Sequence, residues 1–309
     1  MAKLSITIDT DLLGPQYSPG GPTVFDSTNQ VGLLSSITLT PEMMASFNVG
    51  LMGAPQTTPH DKTGYNPQNI KDGKDQLRPN CKVIATVGGS VVLNVLQAES
   101  KPKMPPFVSL VGSVPPGLVG NCKGGISLES ITLNSMRKAY LKGLAGGNTY
   151  TDNTIYLYTN PNSAMHADEI AAWGNNNTVI SSNVAQANGA NNAGNFGQDF
   201  NGGGVGTNTP IPQNANAIII SDDPFFQDNQ ATLVPLINTW LKASGARQIV
   251  YPNQNYPSAL PPTGQGAIIG PNLLQAYMLL GALAGSLLRN PNTTSPFGFV
   301  RLGSETTPL

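Results

Sequence analysis

Asp222-Asp223-Pro224-Phe225-Phe226 follows the apolar run from Ala217 to Ser221 and leads straight into a helical pattern over residues 227–243. A buried strand that ends in acidic and aromatic residues and turns into a helix is how open α/β folds build ligand sites, because the strand's carboxyl end and the helix N-terminus meet at a crevice. The same grammar recurs at Val83-Ile84-Ala85-Thr86-Val87-Gly88-Gly89-Ser90 and at Ile155-Tyr156-Leu157-Tyr158-Thr159-Asn160-Pro161-Asn162. Three such units predict a ligand-binding α/β protein.

Working outward, the chain of 309 residues is long enough for two lobes with a large core. A net charge of -1 with 11% charged residues leaves no basic surface to neutralise phosphates, so nucleic acid is not an expected partner. Gly (34) and Pro (26) are abundant, and Asn, Thr and Ser crowd between the apolar runs, so solubility must come from neutral polar groups, as is common in exported proteins. Cys81 and Cys122 permit one disulfide, but a parallel-sheet reading puts a strand between them, near twice the strand spacing of about 4.8 Å. Neither has a C-x-x-C partner or a nearby His, which argues against metal or redox chemistry. No run approaches the roughly 20 apolar residues of a spanning helix, so no transmembrane segment is expected. The start, Met1 to Asp9, alternates like a strand and lacks the apolar core of a signal peptide. The expectation is a cytoplasmic protein, or a periplasmic or otherwise extracytoplasmic one if an export signal was removed.

Residues 4–8 read as a first strand and 11–36 as a Gly/Pro/Ser-rich excursion. Thr40-Pro41-Glu42 starts a helix with a capping hydroxyl, a proline at the first position and an acid at the positive end of the dipole. Met43, Met44, Phe47 and Leu51 form its apolar stripe, the mark of core packing more than of a cofactor box. A helix over 66–77, a strand over 83–87, a helix over 90–99 and a strand over 107–111 imply a right-handed parallel crossover. A further strand is expected at 126–128. The second α/β run begins with a helix at Ser130 (Ile131, Leu133, Met136, Tyr140, Leu141) and continues through a strand at 154–159, a helix at 164–173 and a strand at 178–182. Residues 185–212, rich in Asn, Gly, Ala and Gln with Phe196, Phe200 and Val205 as apolar anchors, read as a long surface loop, either a tolerated insertion or a lid. A strand at 217–221, the helix at 227–243 kinked or broken by Pro235, and a strand at 248–251 complete this lobe. A short strand at 266–269 and a helix at 272–288 then return to the first lobe. The division is therefore 1–129 and 265–295 for the N-terminal lobe, 130–264 for the C-terminal lobe with its insertion at 185–212, and 296–309 for a C-terminal tail.

The order of these segments resembles the tryptophan/tyrosine ABC-transporter substrate-binding family, whose fold is the two-lobed type I periplasmic binding protein. Four stretches carry the resemblance: Val83 to Gly89 before a helix; Pro106 to Val119, with Phe107-Val108-Ser109-Leu110-Val111-Gly112-Ser113 ahead of Pro115; Ile218 to Phe226; and Gly264 to Leu288, with Gly270-Pro271-Asn272-Leu273-Leu274-Gln275-Ala276-Tyr277. The chain departs from the pattern at Val114, where an acidic residue is expected, and across 11–61; no export signal or lipid-attachment cysteine is seen. Membership would imply capture of a small molecule, often an aromatic amino acid, and delivery to an ABC permease. It would also imply two Rossmann-like α/β lobes joined by a hinge.

Candidate site residues follow from the strand ends. Gly88, Gly89 and Ser90 let backbone approach a ligand, and the free N–H groups of the next helix can seat an anion or simply pack the helix. Ser113 follows the next strand at the same rim. Asn160 and Asn162 straddle Pro161 at a strand end, where they either bind a ligand or cap a helix. One of Asp222 and Asp223 can accept from a ligand ammonium while the other caps the helix at Pro224. Phe225 can stack on an aromatic ligand or pack in the core, and Tyr251 can line the crevice or the hinge. No G-x-G-x-x-G follows a strand, and neither His60 nor His166 belongs to a metal or nucleophile pattern. No catalytic residue, metal or cofactor is therefore assigned, and the expected function is solute binding without catalysis. The alternatives are an enzyme using the same cleft and an interaction protein that kept the scaffold but lost the site.

Overall fold

The computed structural model of the chain describes residues 30–35, 39–57, 74, 81–87, 90–98, 104–112, 114, 121–128, 130–144, 150–161, 166–173, 178–181, 194, 196–200, 211–256, 261–290 and 297–309. Short runs of aliphatic and β-branched residues build two sheets. In the first, β1 (Val31–Ser35), β2 (Gln56–Thr57), β3 (Val83–Val87), β4 (Phe107–Val111) and β5 (Cys122–Ser127) join β11 (Gly298–Arg301) in the order β11-β5-β4-β3-β1-β2, every pair parallel. In the second, β6 (Ile155–Thr159), β7 (Thr178–Ser181), β8 (Ala217–Ile220), β9 (Gln248–Tyr251), β10 (Gly266–Pro271) and β12 (Ser304–Pro308) take the order β12-β10-β9-β8-β6-β7, with β12 alone antiparallel. Every residue of β3, β4, β6, β8 and β9 is buried, as parallel strands covered on both faces must be.

The first sheet is covered by α1 (Pro41–Leu51), α2 (Ser90–Ala98) and α8 (Leu273–Arg289). Thr40 Oγ1 accepts from the Met43 amide at 3.3 Å, and Met43, Phe47 and Leu51 are buried. Helix α8 begins where Asn272 Oδ1 accepts from the Gln275 amide at 3.1 Å, and it buries Leu273, Tyr277, Leu280, Ala284 and Leu287. It packs along α1 at backbone contact: a Cβ on Gly281 would lie 2.2 Å from the Phe47 carbonyl oxygen, and one on Gly50 would lie 1.8 Å from that of Met278. Only glycine allows that approach. The second sheet carries α3 (Ser130–Leu144) and α4 (His166–Trp173), with α5 (Phe196–Phe200), α6 (Pro224–Asp228) and α7 (Gln230–Lys242) in the core on its other face.

The chain passes between the lobes from β5 to α3, from β10 to α8 and from β11 to β12. Each passage leaves the carboxyl end of a strand. The Leu302 amide donates to the Ser127 carbonyl at 3.2 Å, and Asn272 Nδ2 donates to Glu305 Oε1 at 3.4 Å, which knits the passages together. The carboxyl edges of both sheets therefore lie side by side. Asn255, beyond β9, reaches across to Met43 at the start of α1, with Nδ2 and Sδ 3.8 Å apart.

Several sequence expectations change. The run at 31–35, read as part of an excursion, is β1, next to β3 in the first sheet; the expected strand at 4–8, most of the helix at 66–77 and His60 lie outside the described residues. Residues 266–271, assigned to the N-terminal lobe, form β10 of the second sheet because they pair with β9 and β12. The tail at 296–309 is not a tail: it supplies β11 to one sheet and β12 to the other. The helix expected at 227–243 is two helices divided at Asn229, whose Nδ2 donates to the Phe225 carbonyl at 2.8 Å, while Pro235 is accommodated inside α7. Cys81, two residues before β3, and Cys122, the first residue of β5, are free, and β4 lies between β3 and β5. Among the described residues no helix is long and apolar enough to cross a membrane.

Candidate ligand site at the strand tips

The tips of β6, β8 and β9 bring together Asn160, Ser221, Asp223 and Tyr256. Asp222 and Asp223 follow β8. Asp223 takes the capping role: its Oδ1 accepts from the Phe225 amide at 2.8 Å and from Asn160 Nδ2 at 3.5 Å, and its carbonyl accepts from Tyr256 Oη at 3.4 Å. It is 1% exposed, so the structure gives it to the protein's own framework. Asp222 remains partly accessible at the tip of β8, with its side chain 11% exposed and its Oδ2 3.0 Å from Arg137 Nη1. The capping role expected of one of the two acids thus falls to Asp223. Asn160 is buried against Asp223 at the end of β6.

Two groups behind these tips were not singled out in the sequence. Arg137, fully buried on α3, donates from Nε to the Ile269 carbonyl at 2.8 Å and from Nη1 to Asn134 Oδ1 at 2.6 Å as well as to Asp222. Its Nη2 donates to the Pro252 carbonyl at 3.3 Å. A buried cation needs this many acceptors to offset the loss of water. Glu169, on α4, accepts from Thr159 Oγ1 and from Ser221 Oγ, each at 2.7 Å, and so joins the tip of β6 to the tip of β8. Burial pushes its pKa up to about 7 against the pull of those two hydroxyls, with the Asp223 and Asp222 charges adding to the rise. Both residues had a legible signal. Arg137 lies four residues from Leu133 and from Leu141, and Glu169 four from Trp173, all of them buried, so each occupies the inner face of its helix. Met136, read as part of the apolar stripe of α3, is instead 47% exposed.

Phe225 and Phe226 face the second-lobe core. Phe225 packs on Phe196, with ring centroids 5.7 Å apart, and Phe226 stacks on Tyr158 at 4.9 Å. Helix α5 supplies Phe196 and Phe200, and its Asp199 carboxylate accepts a hydrogen bond from Tyr158 Oη. Part of the Asn/Gly-rich segment is thus core, contrary to its reading as a surface loop. Tyr251, the last residue of β9, is fully buried and stacked on Tyr256 at 5.7 Å, and its Oη has no hydrogen-bond partner among the described residues. Ser90 is the first residue of α2. Gly88, Gly89, Ser113 and Asn162 lie outside the described residues. Among the described residues no group of three or more His, Cys, Asp or Glu could hold a metal ion.

Two parallel α/β lobes with adjoining carboxyl edges and three passages between them define the type I periplasmic-binding-protein fold, and solved structures share it over nearly the whole chain. A solute-binding protein of an ABC transporter from Burkholderia graminis C4D1M, in complex with D-arabinose, matches with a TM-score of 0.60 at 11% identity, covering 93% of this chain and 96% of that one. A sugar transporter from Clostridium phytofermentans matches at 0.57 and 9%, covering 91% and 99%. A LacI family transcriptional regulator from Enterococcus faecalis V583 with bound ribose matches at 0.56 and 11%, covering 91% and 96%. Protein-family models and curated proteins give no match. Identity this low carries the architecture and leaves the ligand open; the aromatic-amino-acid family finds no support in these neighbours.

Proposed function

We propose that the protein is a non-catalytic binding protein that takes up one small polar solute between its lobes and presents it to a partner, an ABC-type permease being the partner expected from the sequence. The observation that carries this reading is Asp222: a carboxylate at the tip of β8, partly exposed where its neighbours Ser221 and Asp223 are buried, and fixed in place by Arg137. An acceptor held rigidly at a strand tip is what orients a small guest. Closure around it would exclude water and strengthen the contact.

The solute class favoured is a polyhydroxylated molecule, such as a pentose, over an aromatic amino acid. Asp222 already faces a guanidinium, so an ammonium would compete with a bound cation, whereas a hydroxyl can donate to the carboxylate and share it. Phe225, the aromatic expected to stack on an aromatic ligand, is engaged by Phe196, and the adjacent Phe226 by Tyr158. Neighbours of the same fold hold D-arabinose and ribose.

Calorimetric titration with pentoses, hexoses and aromatic amino acids tests the reading. One class of polyol should bind, and Asp222→Asn, which keeps the shape but removes the charge, should weaken it by about 1 to 2 kcal/mol, or roughly 5- to 30-fold. Tight binding of an aromatic amino acid would overturn the polyol assignment. Equal affinity in the wild type and Asp222→Asn would overturn the site.

A further inference from the structure

Arg137 joins four parts of the second lobe through one side chain. Its planar fork touches Asn134 on its own helix, Asp222 at the tip of β8, the Pro252 carbonyl beyond β9 and the Ile269 carbonyl within β10. Five donors in a fixed plane cannot follow one acceptor without leaving another. Two of these acceptors lie at a passage between the lobes. After Ile269, β10 ends at Pro271 and the chain enters α8 of the first lobe through Asn272. At that point a Cβ on Gly270 would come within 1.8 Å of the same Pro252 carbonyl, so the strand has no slack against the β9 tip.

From this placement we infer that Arg137 is a positioning residue that couples Asp222 to the crossing strand β10, so that a contact made at Asp222 biases the angle between the lobes. The inference rests on the reading of Asp222 as a ligand contact. A ligand need supply only a small difference in free energy between open and closed forms to shift such an equilibrium, provided that the contact and the hinge move as one. The buried fork supplies that connection. Arg137 itself touches no solute.

Electron paramagnetic resonance distances between spin labels on the two lobes test the coupling. Val49, 68% exposed on α1, and Leu144, 48% exposed on α3, are replaced by Cys for labelling, with Cys81 and Cys122 changed to Ala. Without ligand, Arg137→Met and Asp222→Ala should each broaden the interlobe distance distribution about twofold, and the double variant should be no broader than either, the mark of two residues acting through one link. An unchanged width in Arg137→Met, or effects that add in the double variant, would overturn the inference. If a single variant does not fold, the double variant carries the test, because it leaves no buried charge without a partner; a wild-type width there would likewise overturn it. These distances need no ligand. A pentose that binds equally well to the wild type and Asp222→Asn would refute the proposed site while leaving the coupling to be judged on the distances alone.

Discussion

Glu169 accepts two hydroxyl hydrogen bonds in a place that water does not reach, and its pKa, pushed up to about 7, has a direct consequence for stability. Between the ordinary carboxyl value of 4.5 and about 7 the folded protein holds a proton that the unfolded chain has released. Stability contributed by this residue is therefore lost as pH rises through that interval and levels off above it, by up to about 3 kcal/mol at about 1.4 kcal/mol per pH unit. Urea unfolding of the wild type and Glu169→Gln at pH 5 and pH 7.5 checks this: the wild type should lose more stability than the variant between the two. An equal loss would mean that Glu169 does not titrate in that range. At this scale the sequence was legible for the acids at the β8 tip, while for their supports it carried only an inner-face spacing and not what they would meet. Asp222 and Asp223 stand beside an obvious strand end, whereas Arg137 and Glu169 come from helices far along the chain, and their roles emerge only once α3 and α4 lie against the sheet.

Helix α5 shows how an element can be hidden by its surroundings. The Asn, Gly and Ala on either side of it offer few apolar side chains, and that composition argues against order. Five residues are nevertheless enough for Phe196, Asp199 and Phe200 to be buried against Phe225, Phe226 and Tyr158. Phe196→Ala should cost about 3 kcal/mol in urea unfolding, the usual scale for a buried aromatic cut to a methyl group. A loss below about 1 kcal/mol, in the range of ordinary surface changes, would show that α5 merely rests on the lobe. Because Phe196 packs on Phe225 just after Asp223, the same variant should also weaken solute binding. The apolar runs at 83–87, 107–111, 155–159 and 217–220 were readable because continuous burial leaves an unmistakable signature. In β1 and β12, glycine interrupts the apolar run or threonine and glutamate replace it, and pairing with neighbours decides the outcome.

On the scale of the whole molecule, the two-lobed arrangement follows from strand, helix and strand repeated along the chain, and that much was visible in the sequence. The assignment of segments to lobes was not, because the last part of the chain divides itself between the sheets. β10 stays with the second, α8 returns to the first, and β11 and β12 go one to each. Such an exchange goes with the pairings of Leu302 with Ser127 and of Asn272 with Glu305, which no local pattern records. On the proposed reading, a solute held by Asp222 is one side chain, Arg137, away from β10, the strand from which the chain passes to the first lobe.

The most direct test of solute capture is mass spectrometry of small molecules released by denaturing freshly purified wild-type and Asp222→Asn protein side by side. A single polyhydroxylated compound, near one per chain in the wild type and depleted in the variant, is the predicted result. Protein that releases nothing, or releases the same compound in equal amount from both, would contradict it.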